Sequence, residues 1–217
     1  MNKAILSVVL GAALLATGCS DFKSDTESTR NLNDPSVSGR TLAEQVCAIC
    51  HGVDGNSKNP VFPRLAGQQP AYLTEQLKAF RSHDRSDVLG YKYMWGIARN
   101  LTNKQIDELA QYYKGQTAIP GQVKETALVA QGDAIFHHGV EATSVPACAS
   151  CHGPQGHGHD GFPRLASQHE DYILKQLSVF KHTNDRYAGM GAMMSPVAYN
   201  LSGNQARAVA AYLSVQR

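Results

Sequence analysis

Past its first twenty residues the chain has no apolar run of about 18, the length a membrane-crossing helix requires. It also lacks sustained apolar–polar alternation, which argues against half-buried sheet and leaves helices to build the core. Charge of one sign is missing too. Lys and Arg number 20 against 18 Asp and Glu, a formal net charge of +2, so nothing points to a nucleic-acid surface. Cysteine is sparse, at five in 217 residues, and four of the five fall into two short motifs.

Those motifs are Cys47-Ala48-Ile49-Cys50-His51 and Cys148-Ala149-Ser150-Cys151-His152. Each reads C-x-x-C-H, the attachment signature of a c-type haem. Two thiols three positions apart on a helical turn can add to the two vinyl groups along one porphyrin edge. The histidine beside them then reaches the iron from one face, and must be neutral to donate its ring nitrogen. A single match could equally be a dithiol redox pair or half a zinc site. Two matches, each followed by similar sequence as far as a methionine, imply two covalent haems c.

The remaining cysteine, Cys19, follows a Lys3-led start and the apolar run from Ala4 to Ala16, ending Thr17-Gly18. A basic start, a short apolar stretch and small residues describe an export signal. The cysteine at the expected mature end resembles that of a bacterial lipoprotein, although Ala16 stands where leucine is commoner. The reading is an export signal over 1–18 and a lipidated Cys19 opening a flexible tether over 19–37. That tether is rich in Ser, Thr, Asn and Asp and too poor in apolar residues to offset its ordering entropy. The plainer alternative is a soluble periplasmic protein with a spare thiol.

The rest is a duplication: a first domain over 38–115, a linker over 116–123 containing Pro120-Gly121, and a second domain over 124–217. Phe62-Pro63-Arg64-Leu65-Ala66 recurs letter for letter as Phe162 to Ala166, an offset of 100. The motifs themselves are offset by 101, so the loops after the two histidines differ by one residue. In the first half, Leu73, Leu77 and Phe80 place an apolar stripe on a helix that has Pro70 in its first turn. A last helix starts after Thr102, a suitable N-cap, and stops at Gly115; Ser202 takes the capping place in the second half. Both halves are expected to be all-α.

His51 and His152 are the expected first iron ligands. Met94 and Met194, 43 and 42 residues further on, are the candidates for the opposite face, each expected in an irregular segment that can aim a thioether. Met193 is the rival in the second half, and core filler is the ordinary use of any methionine. Two His/Met irons would be six-coordinate, suited to electron transfer rather than to binding oxygen or peroxide. The carbonyls of Pro63 and Pro163 can accept from the second nitrogen of each histidine. Arg64 and Arg164 could pair with haem propionates or lie solvated at a domain edge. Tyr72 and Tyr172 are further propionate donors, and Leu65, Leu77, Trp95, Ile97, Leu165, Leu177 and Val197 are candidate pocket walls. His137, His138, His157, His159, His169 and His182 read as surface histidines.

Over residues 38 to 215 the chain resembles the dihaem cytochrome c4 family. The likeness is carried by the two Cys-x-x-Cys-His-Gly motifs, the two Phe-Pro-Arg-Leu-Ala runs, and a methionine eight positions before each of Thr102 and Ser202. It departs at Ser167, where the first half has Gly67. The resemblance implies two class I cytochrome folds related by a pseudo-two-fold axis, with propionate edges facing one another. It also implies one-electron traffic with partners such as a terminal oxidase, a quinol–cytochrome c reductase or a small periplasmic carrier. A competing reading is an enzyme: a dihaem peroxidase, or the haem subunit of a thiosulfate or nitrite oxidoreductase. Mass spectrometry of the exported protein is expected to show two haem additions, and Cys19→Ala with a working export signal to release a still dihaem protein from the membrane fraction. One haem, or a wild-type N-terminus without lipid, would contradict the corresponding half of that expectation.

Overall fold

A computed structural model describes residues 34–186 and 189–217, so the expected export signal, Cys19 and most of the tether lie outside the described residues. No named strand occurs among those described; the pairs Val140–Val145 and His159–Phe162 are isolated bridges. None of the described helices is long and apolar enough to cross a membrane.

In the first domain, α1 (Gly39–Leu42) runs through a π turn, Ala43–Cys47, into α2 (Ala48–His51). Helix α3 (Pro70–Ser82) carries the apolar stripe and has the expected proline in its first turn. Next come α4 (Val88–Gly90), a second π turn at Tyr91–Trp95, and α5 (Gly96–Ala98). Helix α6 (Asn103–Lys114) closes the domain, with Thr102 and Gln105 forming a reciprocal capping box. The second domain has α7 (Ala127–His138), α8 (Ala149–His152), α9 (Glu170–His182), α10 (Met194–Asn200) and α11 (Gly203–Val215), and the same box at Ser202 and Gln205. Each box satisfies donors that the start of a helix would otherwise leave bare.

Both domains are closed by their first and last helices crossing at a glycine. A Cβ on Gly39 would sit 2.4 Å from Glu108 Cβ, and one on Gly132 only 2.0 Å from Ala208 O. Any side chain there would push the helices apart. Around these crossings lie two separate cores, one holding Leu42, Ile106, Leu109 and Tyr113, the other Phe136, Val209, Tyr212 and Leu213.

Two expectations change. The tether does not extend to 37: Val37 is buried in the first core, and Asp34 O and Val37 O both accept from Gln105 Nε2. The segment before Met94 is helical rather than a polar loop. Near its middle the linker is pinned to both domains, Ile119 N donating to Asn56 Oδ1 at 2.9 Å and Gly121 N to Ser214 O at 2.8 Å. Ser167 keeps the left-handed conformation of Gly67, at φ 64° against 66°. Its hydroxyl donates to Gln216 O at 2.7 Å, a bond glycine cannot make and one that offsets the strain.

The domains meet through a reciprocal pair of glutamines. Gln68 accepts from Arg164 N at 2.6 Å and donates to Arg164 O at 2.9 Å. Gln168 does the same to Arg64, both bonds at 2.9 Å. Each amide thus acts as one rung of a strand ladder laid across the interface, with both side chains buried. Gln68→Ala leaves a buried N–H and C=O unpaired and is expected to destabilise the protein by about 1–3 kcal/mol. Denaturant unfolding measures this, and a loss below about 0.5 kcal/mol would mean that water replaces the amide.

Candidate functional site

The two Cys-x-x-Cys-His turns face a single cavity of about 430 Å³ that runs through both domains. Its walls include Cys47, His51, Met94 and Leu77 from the first domain, and Cys148, Cys151, His152, Met194 and Leu177 from the second. The four motif cysteines are free of disulfides. Burial pushes the Cys47 and Cys148 thiols up to about 11, so neither is a ready thiolate. Among the described residues no cluster of three or more His, Cys, Asp or Glu is arranged to hold a metal ion, so the zinc alternative has no second set of ligands.

The histidines are set for iron. His51 and His152 are both about 6% exposed. The Nδ1 of each lies against a proline carbonyl, His51 to Pro63 O at 2.9 Å and His152 to Pro163 O at 3.0 Å. A carbonyl can only accept, so Nδ1 carries the proton and Nε2 keeps the lone pair. Burial lowers the proton affinity of both rings, and the carbonyl bond only partly opposes it. Neutral imidazole is the form that binds iron.

The methionines arrive on unlike local structures. Met94 sits within the π turn Tyr91–Trp95, half-buried against the first core. Met194 is the first residue of α10, directly after a 3₁₀ turn at Gly189–Met193. Neither segment is the irregular loop expected; a π turn inserts one residue into a helix and re-aims the side chains near it. Met193, the rival, also lines the cavity but is 54% exposed.

Leu65, Leu77, Leu165, Leu177 and Val197 line the cavity as expected. Trp95 and Ile97 are not among its walls. Trp95 instead stacks on Tyr91 at 5.9 Å, with Arg99 over its other neighbourhood at 5.0 Å. His169 is no plain surface residue either: its Nε2 lies 2.9 Å from both Ser57 Oγ and Ser57 O across the domain interface.

Arg64 and Arg164 line the cavity, and their Nε atoms are buried without a hydrogen-bond partner. The Nη1 of Arg64 donates to Ser167 O at 2.9 Å, tying it to the second domain. Tyr72 and Tyr172 meet arginines that the sequence reading left out. Arg186 donates to Tyr72 Oη at 3.1 Å, and Arg85 lies 3.3 Å from Tyr172 Oη, each across the interface. Gln76 Oε1 accepts from both arginines at 2.8 Å. The spacing Gln76/Gln176 and Arg85/Arg186, at 100 and 101, was the available signal. Three cations, Arg85, Arg186 and Lys175, gather here with Asp87 buried among them.

A flat apolar group with carboxylates on one edge fits this chamber. Its walls are mostly apolar, and they include Cys47, Cys148, Cys151 and both motif histidines, although Cys50 is not among them; the partnerless Nε groups of Arg64 and Arg164 and the cations Arg85, Arg186 and Lys175 line it too.

Comparison with known proteins agrees. The cytochrome c family model matches twice, over residues 36–116 and 129–216. Cytochrome c4 of Stutzerimonas stutzeri is 35% identical over 98% of both chains. The chain belongs to the dihaem cytochrome c4 family. Cytochrome c-552 of Acidithiobacillus ferridurans is 42% identical over 77% of this chain and 72% of its own. The solved cytochrome c4 of Acidithiobacillus ferrooxidans, 40% identical, covers 77% of this chain and 97% of its own at a TM-score of 0.71. A thiosulfate dehydrogenase electron acceptor from Thiomonas intermedia is 33% identical over 78% of each chain. Like its family, this chain binds two covalent haems c and carries electrons, with attachment at Cys47 and Cys50, and at Cys148 and Cys151.

Proposed function

We propose that His51 with Met94, and His152 with Met194, close the two irons, and that the protein is a one-electron shuttle with no substrate site of its own. The supporting observation is that both pairs open on one apolar chamber at matched positions of a duplicated fold. Bound there, each haem supplies an Fe(III)/Fe(II) couple, and thioether ligation in an apolar pocket favours the reduced form. Pro63 and Pro163 hold the histidines in one tautomer and orientation. Arg64 and Arg164 direct N–H groups into the chamber, where propionates would satisfy them. The apolar walls exclude water, which keeps reorganisation on electron transfer small.

The working place is the periplasmic side of a bacterial membrane, with Cys19 as a lipid anchor and residues 20–33 as the tether. Partners are respiratory redox proteins: a terminal oxidase, a quinol–cytochrome c reductase or a small periplasmic carrier. Similarity to a thiosulfate dehydrogenase electron acceptor favours a second version, in which the electrons come from a thiosulfate-oxidising enzyme. In that version the chain is that enzyme's acceptor and not its catalytic subunit. A peroxidase has less support, because a thioether at each iron leaves no open position.

Met94→Ala and Met194→Ala are each expected to remove one sulfur-to-iron band at the red end of the oxidised spectrum and to lower that haem's potential, with the other haem changing much less. Met193→Ala should leave both bands. Loss of a band in Met193→Ala alone would move the second-domain ligand by one residue.

A further inference from the structure

The duplication lets each domain serve as a reference for the other. At an offset of 100, Phe80 and Arg81 answer Phe180 and Lys181, and Trp95, Gly96 and Arg99 answer Ser195, Pro196 and Tyr199. The two frames are anchored alike: Arg81 Nη1 donates to Leu101 O at 2.8 Å, and Lys181 Nζ to Leu201 O at 2.7 Å. In the first domain an indole bridges the end of α3 to the turn before α5. Trp95 lies against His83 with ring centroids 5.0 Å apart, and the Arg99 guanidinium stands 5.0 Å from the centre of the same indole.

The second domain has the same frame without the indole. Ser195 stands at the position of Trp95, and a groove of about 440 Å³ opens between the end of α9 and α10. Lys181 and His182 form one side, Pro196 and Tyr199 the other, and Ser195 lies between them. Tyr199 is 69% exposed, so its phenol ring is free to pack face or edge against another ring. The Ser195 hydroxyl can meet a polar group on that ring's edge. The charge of the lining has one sign: Lys181 carries it, His182 adds to it when protonated, and no carboxylate lines the groove.

We propose that this groove binds an aromatic side chain, tryptophan or tyrosine, presented by an acidic segment of a protein partner. The ring follows from the first domain, which fills the matching place with an indole of its own. The acidic surroundings follow from the cationic lining, whose pull acts across an open site at low salt and fades as salt rises. A macromolecule rather than a lone small ring follows from the exposed apron beside the groove, where Met193 is 54% exposed next to Tyr199. Seating one ring in a pocket concentrates the affinity of such a contact in a few atoms. Ser195 directly follows Met194, which lines the haem chamber, so a partner anchored here lies beside the second-domain end of that chamber. Of the groove's residues only Phe180 also lines the chamber, so binding can be read separately from the haems.

The test is a ligand-observed NMR titration of the reduced dihaem protein with the blocked tripeptide acetyl-Glu-Trp-Glu-amide. Acetyl-Glu-Leu-Glu-amide keeps the charge without the ring, and free indole keeps the ring alone. The tryptophan peptide is expected to bind about tenfold more tightly than either control, and less tightly as salt is added. Ser195→Trp puts the chain's own indole into the groove, and Tyr199→Ala removes its exposed wall. Each should weaken the peptide by about fivefold or more while the two-haem spectrum stays as it was. Tyr199 is exposed, so Tyr199→Ala decides the matter even if Ser195→Trp folds poorly. No binding to the unaltered protein, salt-independent binding, equal binding of the leucine peptide, or a Tyr199→Ala variant that binds unchanged would overturn the proposal. So would tighter binding of free indole than of the peptide, which marks a site for a small free ring. Self-association that Ser195→Trp abolishes would also overturn it, by making a second copy of this chain the occupant.

Discussion

Everything in this molecule is arranged to keep water off two apolar plates that the polypeptide does not itself provide. A domain of about 80 residues buries too little surface to be comfortably stable. Here the helices do not close over their own side chains. First and last helices cross at Gly39 and Gly132, as near as backbone permits, and the remaining helices stand back around a chamber. The haem is therefore a core component first and a redox group second. Covalent thioether links suit that role, because a core that could dissociate would take the fold with it.

The same constraint separates what was legible from what was not. The histidine–proline carbonyl bonds and the helix caps are local in sequence, and the structure holds them where the spacing implied. The methionine segments are helical where their composition suggests loops, because a π turn such as Tyr91–Trp95 carries no compositional mark. The interface was the largest omission. Gln68, Gln76, Arg85 and their counterparts look like ordinary surface polar residues until the domains are placed together. His169 looks like a surface residue because its contact is with Ser57 of the neighbouring domain, which periodicity within one helix does not reveal.

Docking converts the duplication into one working unit. Two chambers become one, and the buried arginines, tyrosines and glutamines form a hydrogen-bonded square in which every arginine is held by both halves. Separating the halves would strip these buried groups of the partners they have, which is costly. The pinned linker adds a covalent tie to a contact already specified by side chains.

The reciprocal glutamine contact is isologous, the kind two identical subunits make about a two-fold axis. A free first domain could in principle meet a second copy of itself through the same Gln68 and Arg64 surfaces. At the edge where Lys175 now stands, however, that copy would present Glu75 to Asp87, setting two carboxylates against each other. The fused chain instead meets Asp87 with a lysine. Thus the charges at one corner favour the pairing of unlike halves over that of two first halves, a bias against exchange of first halves between chains.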